Sequence, residues 1–408
     1  MRIGRAQMPS WFFPFVLVPA LLGSPAARPD GPTITSISAR VSFGREMVFS
    51  AMVQSTDPVQ SANLVLEDSS GQSVVYSAEI SAPDGFALTA RRDLQAEPVF
   101  PFSSLAYWWE VILATGDKIL SEKQSLQYLD DRYPWQALTK GRATVRWTGG
   151  DSASAEDAAD LLLLDLGTIS ADLETPIPEM TSLYIYPRLA DFHSGLGTLA
   201  YGWEGALSDP GSGIILIAAA SGAEGRQTLV TLLPHETVHI LLGAKWKGTY
   251  AALPLWLVEG TAAGYEVQPR ADADQALQQA AKDGSLIPVA TLCRSFPSDE
   301  RPALLAYAES KSFVGYLRET YGLAAIRQAL AEYAAGADCR QGTVGSTGKD
   351  LDALEQAWRA GLRGSSSGWM SPWMLVLGAS ILLSGMLSAG WILRRRRKSA
   401  AGERKSAE

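Results

Sequence analysis

Two histidines four residues apart enclose a glutamate in His235-Glu236-Thr237-Val238-His239, and a third candidate ligand, Glu259, follows in Trp256-Leu257-Val258-Glu259-Gly260. On a helix, side chains at i and i+4 stand one above the other on one face. Two imidazoles so placed can grip a single metal ion through nitrogen, and Glu259 can add a carboxylate oxygen. Three protein ligands and one open position make up the donor set of a hydrolytic zinc. Zinc lowers the pKa of a bound water from about 15.7 to about 7. Glu236, next to the first imidazole and itself unligated, can take the remaining proton as the water attacks a polarised carbonyl, then pass it to the leaving amine. The chain has only three histidines, and this motif uses two of them. The expected site is therefore Zn2+ on His235, His239 and Glu259, with Glu236 as general base. His-Glu-x-x-His alone is short enough to arise by chance. Its bland reading is a helix that carries two surface or core histidines. The Glu-Gly block at a matching distance weighs against that. A site that keeps its ligands without turnover is the other rival.

These residues need two helices. The histidine helix is predicted to start between Arg226 and Pro234, and a second helix to run through Glu259 after residues 243–254 reverse the chain. Pro234 lacks an amide proton and clashes with the preceding turn, so the helix must either bend there or begin there. Upstream, 143–147 and 180–186 read as strands and 213–219 as a short apolar strand. The segment 214–219, if it is a sheet edge, could hold an extended peptide by strand addition. Residues 154–173 read as a helix with an apolar stripe of Ala158, Leu161, Leu162, Leu166, Ile169 and Leu173, broken by Asp165 on the same face. Helices are predicted over 271–282, 301–320, 324–333 and 350–361.

Residues 30–130 have a different character. Short runs at 34–41, 46–53, 62–67, 73–80, 85–91, 105–115 and 121–128 alternate apolar and polar residues, with turn residues between them. Such spacing predicts an all-β immunoglobulin-like or fibronectin-like sandwich. Tyr107-Trp108-Trp109 lies on a central run; its rings read as sandwich core, with a ligand platform as the functional alternative. Asp130-Asp131-Arg132-Tyr133-Pro134-Trp135, charged and containing proline, marks the boundary.

The two ends of the 408-residue chain set its expected location. Arg2 and Arg5, the apolar run 11–22 and Ser24-Pro25-Ala26 fit a signal peptide over 1–26, with an uncleaved anchor as the alternative. Residues 369–393 carry no charge, and Trp369, Trp373 and Trp391 fall near the ends of the run. At about 1.5 Å rise per residue such a run crosses a hydrocarbon core of about 30 Å. Arg394-Arg395-Arg396-Arg397-Lys398 follows at once, as a stop-transfer cluster that stays cytoplasmic. A linker, 363–368, precedes the span and a basic tail, 394–408, ends the chain. The expected protein is a single-pass cell-membrane protein with its N-terminal bulk outside. Both ends are net positive, so the body is more acidic than the overall charge of −8, which argues against a nucleic-acid partner. Cys293 and Cys339 both fall in the exported part, where a structural disulfide is favoured over metal ligation, a reactive thiol or two free buried thiols.

The nineteen residues between His239 and Glu259 match the thermolysin-like spacing, and the motif resembles the glutamate-type zincins, or gluzincins. The blocks Leu253-Pro254-Leu255-Trp256-Leu257-Val258-Glu259-Gly260-Thr261-Ala262-Ala263-Gly264-Tyr265-Glu266 and Ala306-Tyr307-Ala308-Glu309-Ser310-Lys311-Ser312-Phe313 resemble the peptidase MA-like families of bacterial membrane proteins. The resemblance covers about 140–362 and implies an α/β (α+β) zinc-peptidase domain acting on peptide or protein substrates, with the ligand roles above. The aminopeptidase branch carries Gly-x-Met-Glu-Asn before its zinc helix; this chain has Gly202-Trp203-Glu204-Gly205, which weakens an N-terminal-trimming reading. The Asp that thermolysin-like enzymes place four residues after the ligand Glu is Ala263 here, so support for the ligands must come from elsewhere. Glu266 is a candidate to orient one of them. Gluzincins also use a Tyr or His to stabilise the oxyanion; Tyr307 and His193 are the candidates, against core and surface readings respectively. The rival from another class is an inert cell-surface protein that binds through its sandwich, and a third reading has the zincin clip its own chain.

Overall fold

The computed structural model of the chain describes residues 31–81, 86–267 and 271–365. The expected signal peptide, C-terminal span and basic tail lie outside the described residues, as does the linker beyond residue 365. Among the described residues no helix is long and apolar enough to cross a membrane.

Among the described residues, nine strands form the first unit: β1 (Thr33–Ser42), β2 (Glu46–Gln54), β3 (Val59–Glu67), β4 (Ser73–Ser77), β5 (Glu79–Ser81), β6 (Phe86–Asp93), β7 (Ser104–Leu113), β8 (Lys118–Leu120) and β9 (Gln124–Gln127). They make two antiparallel sheets, β1-β2-β6-β5 and β4-β3-β7-β8, with β9 also paired to β7. Alternation builds the core between them. Met47, Phe49, Ala51 and Val53 of β2 join Tyr107, Trp109 and Val111 of β7 in one buried cluster. Tyr107 and Trp109 are thus core residues, and Trp108 turns outward beneath the Lys123 ammonium, 5.0 Å from its ring centre. Two of the expected runs divide. Residues 73–80 break at Ala78, with β4 pairing β3 in one sheet and β5 pairing β6 in the other. The run 121–128 keeps only β9; Ser121 instead bridges to Trp109, whose amide donates to Ser121 Oγ at 2.9 Å. A two-residue period cannot reveal either change, because switching sheets or bulging leaves local alternation intact.

The second unit is built on β10 (Gln136–Lys140), β11 (Ala143–Trp147), β12 (Thr181–Tyr186), β13 (Ala206–Asp209) and β14 (Ile214–Ala218), in the order β10-β11-β12-β14-β13. The three inner strands are parallel and both edge strands antiparallel. The condition set for peptide binding by 214–219, that it be a sheet edge, is not met, since β14 lies between β12 and β13. The Ile214–Ile217 residues are all buried, as in a strand covered on both faces. The edge is β13, whose Ala-Leu-Ser-Asp sequence is too short and polar to announce a strand.

The helices are α1 (Ser152–Leu173), α2 (Leu189–Leu196), α3 (Ala223–Lys245), α4 (Leu255–Ala263), α5 (Ala271–Asp283), α6 (Glu300–Tyr321), α7 (Leu323–Ala334), α8 (Val344–Thr347) and α9 (Leu351–Ser365). Leu162, Leu166 and Ile169 of α1 and Leu229 and Leu233 of α3 pack with Val145, Leu183, Ile215 and Ile217 of the sheet. On the opposite face Tyr184, Tyr186, Ile214 and Leu216 meet Phe192 and Leu196 of α2 and Phe102 from the first unit. Asp165 is half-buried on α1, and burial lifts its carboxyl to about 7. Burial among apolar neighbours thus favours its neutral form more than in a free aspartate. The α3 helix neither stops nor starts at Pro234: it runs through that buried residue from Ala223, earlier than expected.

The boundary segment is a packed junction rather than a loose linker. Asp130 is 1% exposed. It accepts from Arg132 Nε at 2.7 Å, Arg132 Nη2 at 2.6 Å and the Tyr186 hydroxyl at 2.9 Å. The Trp135 indole donates to its carbonyl at 2.8 Å. A buried carboxylate needs this set of partners. Cys293 and Cys339 are joined in a disulfide.

Candidate metal centre

His235, Glu236 and His239 share α3, and Glu259 sits on α4 across the turn that reverses the chain. Two glycines let the neighbouring elements come close. A methyl at Gly260 would overlap the Ser310 carbonyl and the Val314 side chain, so α4 can lie directly against α6. A methyl at Gly243 would overlap Pro210, the residue after the edge strand. The result is a cleft of about 570 Å³ between a wall made by β13 and α3 and a wall made by α5 and α6.

Glu259 Oε2 stands 3.3 Å from His235 Nε2 and 3.7 Å from His239 Nε2. One donor atom from each of the three residues lies within 4.8 Å of the others. Ligand atoms about 2.0–2.1 Å from a tetrahedral ion stand about 3.3–3.4 Å apart, so the group is close to a coordinating arrangement. The far sides of both imidazoles are occupied. His235 Nδ1 is 3.0 Å from Glu266 Oε1, and His239 Nδ1 is 2.9 Å from the Tyr250 hydroxyl. A carboxylate only accepts, so Nδ1 of His235 carries a proton, which leaves Nε2 as the nitrogen that would face an ion. Glu266 is itself held by Lys311 Nζ at 3.2 Å.

The electrostatics agree. Burial would lower the basicity of His235, but Glu259 and Glu266 more than reverse it and raise its pKa to about 10. Burial pushes Glu259 up, and His239 and His235 outweigh it, holding the carboxyl below its ordinary value. Glu266 follows the same pattern, with His235 and Lys311 outweighing burial. Glu204, in the same cleft, is lifted to about 7 by burial and then by Glu236 and Glu259. Four glutamates line the cleft with one lysine. Two imidazole nitrogens and a carboxylate, converging in this negative pocket, fit a divalent cation that accepts nitrogen and oxygen, as zinc does.

Every residue expected at the metal and base positions is therefore brought together. Glu236 is buried, and its Oε2 accepts from Ser208 Oγ of β13 at 2.7 Å. Glu266 reaches His235 as expected but from a different place: α4 ends at Ala263, so Glu266 lies on the following turn rather than two turns along the helix. Of the two oxyanion candidates, Tyr307 lines the cleft, and burial followed by Glu259 and Glu204 pushes its hydroxyl well above the ordinary range. His193 does not line it; it lies on α2 against Phe192. Tyr250, Ser208 and Glu204 were not named as site residues from the sequence. Tyr250 and Ser208 carry no motif, and Glu204 stood in a segment noted only for lacking the aminopeptidase pattern.

A family model described as the peptidase MA superfamily matches residues 162–364. No curated protein matches the chain. Among solved structures, an M1 zinc metallopeptidase from Deinococcus radiodurans is similar at 15% identity, covering 81% of this chain and 94% of that one with a TM-score of 0.36. A DUF4426 family protein from Pseudomonas aeruginosa PAO1 is similar at 10% identity, covering 26% of this chain and 97% of that one with a TM-score of 0.21. The family match spans both candidate histidine ligands, Glu259 and the walls of their cleft, and residues 162–364 belong to the peptidase MA superfamily.

Proposed function

We propose that the chain is a membrane-anchored extracellular zinc metallopeptidase in which His235, His239 and Glu259 hold the metal and Glu236 is the general base. The observation that carries this reading is the convergence of the three donor atoms beside a buried, hydroxyl-anchored glutamate in an open cleft. When bound, zinc supplies a Lewis acid and lowers the pKa of water. The Ser208 hydroxyl fixes one oxygen of Glu236, so the carboxylate is oriented before substrate arrives. Glu236 takes the proton from water and returns it to the leaving amine. Tyr307 is placed to donate its hydroxyl proton in a hydrogen bond to the oxygen that gains charge. β13, unpaired on its outer side among the described residues, offers main-chain groups to an extended substrate.

The anchoring and the extracellular location rest on the uncharged run 369–393, the arginine cluster after it and the apolar run near the N-terminus. A disulfide suits an oxidising compartment. The test is metal analysis with cleavage of an unfolded protein such as casein, on wild type, Glu236→Gln and His239→Ala. Wild type should carry zinc and cleave, Glu236→Gln should carry zinc and not cleave, and His239→Ala should lose zinc. Unchanged zinc content in His239→Ala refutes the metal assignment. Zinc without cleavage in wild type would favour the inert binding protein.

A further inference from the structure

A second cavity, of about 410 Å³, opens between the two units. One wall is the β3–β4 turn of the sandwich, including Ser69, Ser70 and Gln72; the other is the edge strand, through Ser208, Asp209 and Pro210. Ser208 and Pro210 also line the cleft of the metal centre. The two spaces are therefore neighbours along one strand edge. Ser208 marks the crossing point, since its hydroxyl reaches Glu236 while the same residue borders the second cavity. The units are in near contact here: a Cβ at Gly211, just past β13, would stand 3.4 Å from Ser69 Oγ. The sandwich wall is also preformed. Asp68 Oδ1 accepts from Ser70 N at 2.8 Å, Ser70 Oγ at 2.6 Å and Gln72 N at 3.0 Å, which closes the turn. A rigid wall costs little ordering when a ligand binds.

The geometry points to a substrate-binding extension: the sandwich turn and the edge strand together hold the continuation of an extended polypeptide whose scissile part lies in the metal cleft. This rests on the peptidase reading above and sharpens it to an enzyme that engages long, extended chains. Among the described residues the outer side of β13 has no partner strand, and a chain following it past Ser208 and Pro210 passes from the cleft into the second cavity. The lining mixes hydroxyls with an apolar floor of Leu66, Val99 and Leu105, which accommodates main chain and varied side chains rather than one fixed small molecule. At about 3.3 Å per residue a pentapeptide spans about 17 Å and a dodecapeptide about 40 Å, so the longer one reaches further along the edge from the metal cleft.

The test uses full-length Glu236→Gln protein, so binding is read without turnover, and two fluorescein-labelled peptide pools of randomised sequence, pentamers and dodecamers. Anisotropy gives Kd for each. The dodecamers are expected to bind about tenfold more tightly or better. Adding Ser70→Trp, which fills the cavity from an exposed turn position, should remove that gain and leave pentamer affinity unchanged. Val75→Trp, exposed on β4 and away from the cavity lining, should keep the gain. Equal affinities for the two pools, a gain that survives Ser70→Trp, or no binding of either pool would overturn the inference. If the pools bind as expected but wild-type enzyme cleaves neither, the peptidase reading fails while the extension stands.

Discussion

Glu266 offers the sharpest test of how the metal ligands are held. Its Oε1 is 3.0 Å from His235 Nδ1 and its Oε2 is 3.2 Å from Lys311 Nζ. Glu266→Ala leaves the Nδ1 proton of a mostly buried imidazole without its acceptor, frees the ring to turn, and leaves Lys311 facing the cleft. A hydrogen bond to a charged group contributes about 1.5–3 kcal/mol. At about 1.4 kcal/mol per factor of ten, that is about 10- to 100-fold in metal affinity, the range seen when such supporting partners are removed. Glu266→Gln keeps an acceptor and loses only the charge, so about tenfold or less is expected. Tyr250→Phe removes a neutral partner from His239, for about 1 kcal/mol or about fivefold. Zinc competition against a chromophoric chelator near neutral pH measures all three without any need for turnover. Agreement of Glu266→Ala with wild type within about twofold, or a larger loss in Tyr250→Phe than in Glu266→Ala, would refute the reasoning.

Three further outcomes follow from particular residues. Tyr307→Phe should lower kcat by about 10²–10³ with KM nearly unchanged; steady-state kinetics on one peptide decide it, and an unaltered kcat would remove Tyr307 from the mechanism. Glu309 is fully buried; its carboxyl accepts from Ile287 N at 2.9 Å, and burial lifts its pKa from 4.5 to about 7. The folded state thus holds this proton more tightly than the unfolded state, so stability from this residue falls as pH rises from about 4.5 to about 7. The difference in Tm between wild type and Glu309→Gln should change across that window and level off above it; a pH-independent difference would show that the proton is not held. The disulfide closes a loop with a sequence separation of 46, worth about 4 kcal/mol by loop-closure entropy. Cys293→Ser with Cys339→Ser should therefore lower Tm markedly, while thermal scans that leave it unchanged would mean the bond adds nothing.

The two candidate histidine ligands and the candidate base were legible because their relation is local. Any helix that carries residues 235 and 239 puts both on one face, whatever surrounds it. The main helices were legible for the same reason, and so was the sandwich, whose strands alternate. Legibility failed where the chain's local pattern is neutral about its partner. The strand 206–209 shows no apolar period, yet antiparallel pairing with β14 makes it the cleft's edge. Whether the apolar run 214–219 was an edge stayed open, because a run of buried residues records burial and not position within a sheet.

The sequence alone thus determined the candidate donor set, its spacing and the candidate base, since helical periodicity and the chemistry of imidazole and carboxylate are short-range facts. Only the tertiary structure decided what holds and surrounds them. Tyr250 reaches His239 from 11 residues away, Ser208 reaches Glu236 from 28, Glu266 reaches His235 from 31, and Lys311 reaches Glu266 from 45. Such pairs form only when close-packed helices and a sheet edge bring distant segments together, as the missing side chain at Gly260 does for α4 and α6. No period or motif records a contact of that kind before the chain has folded.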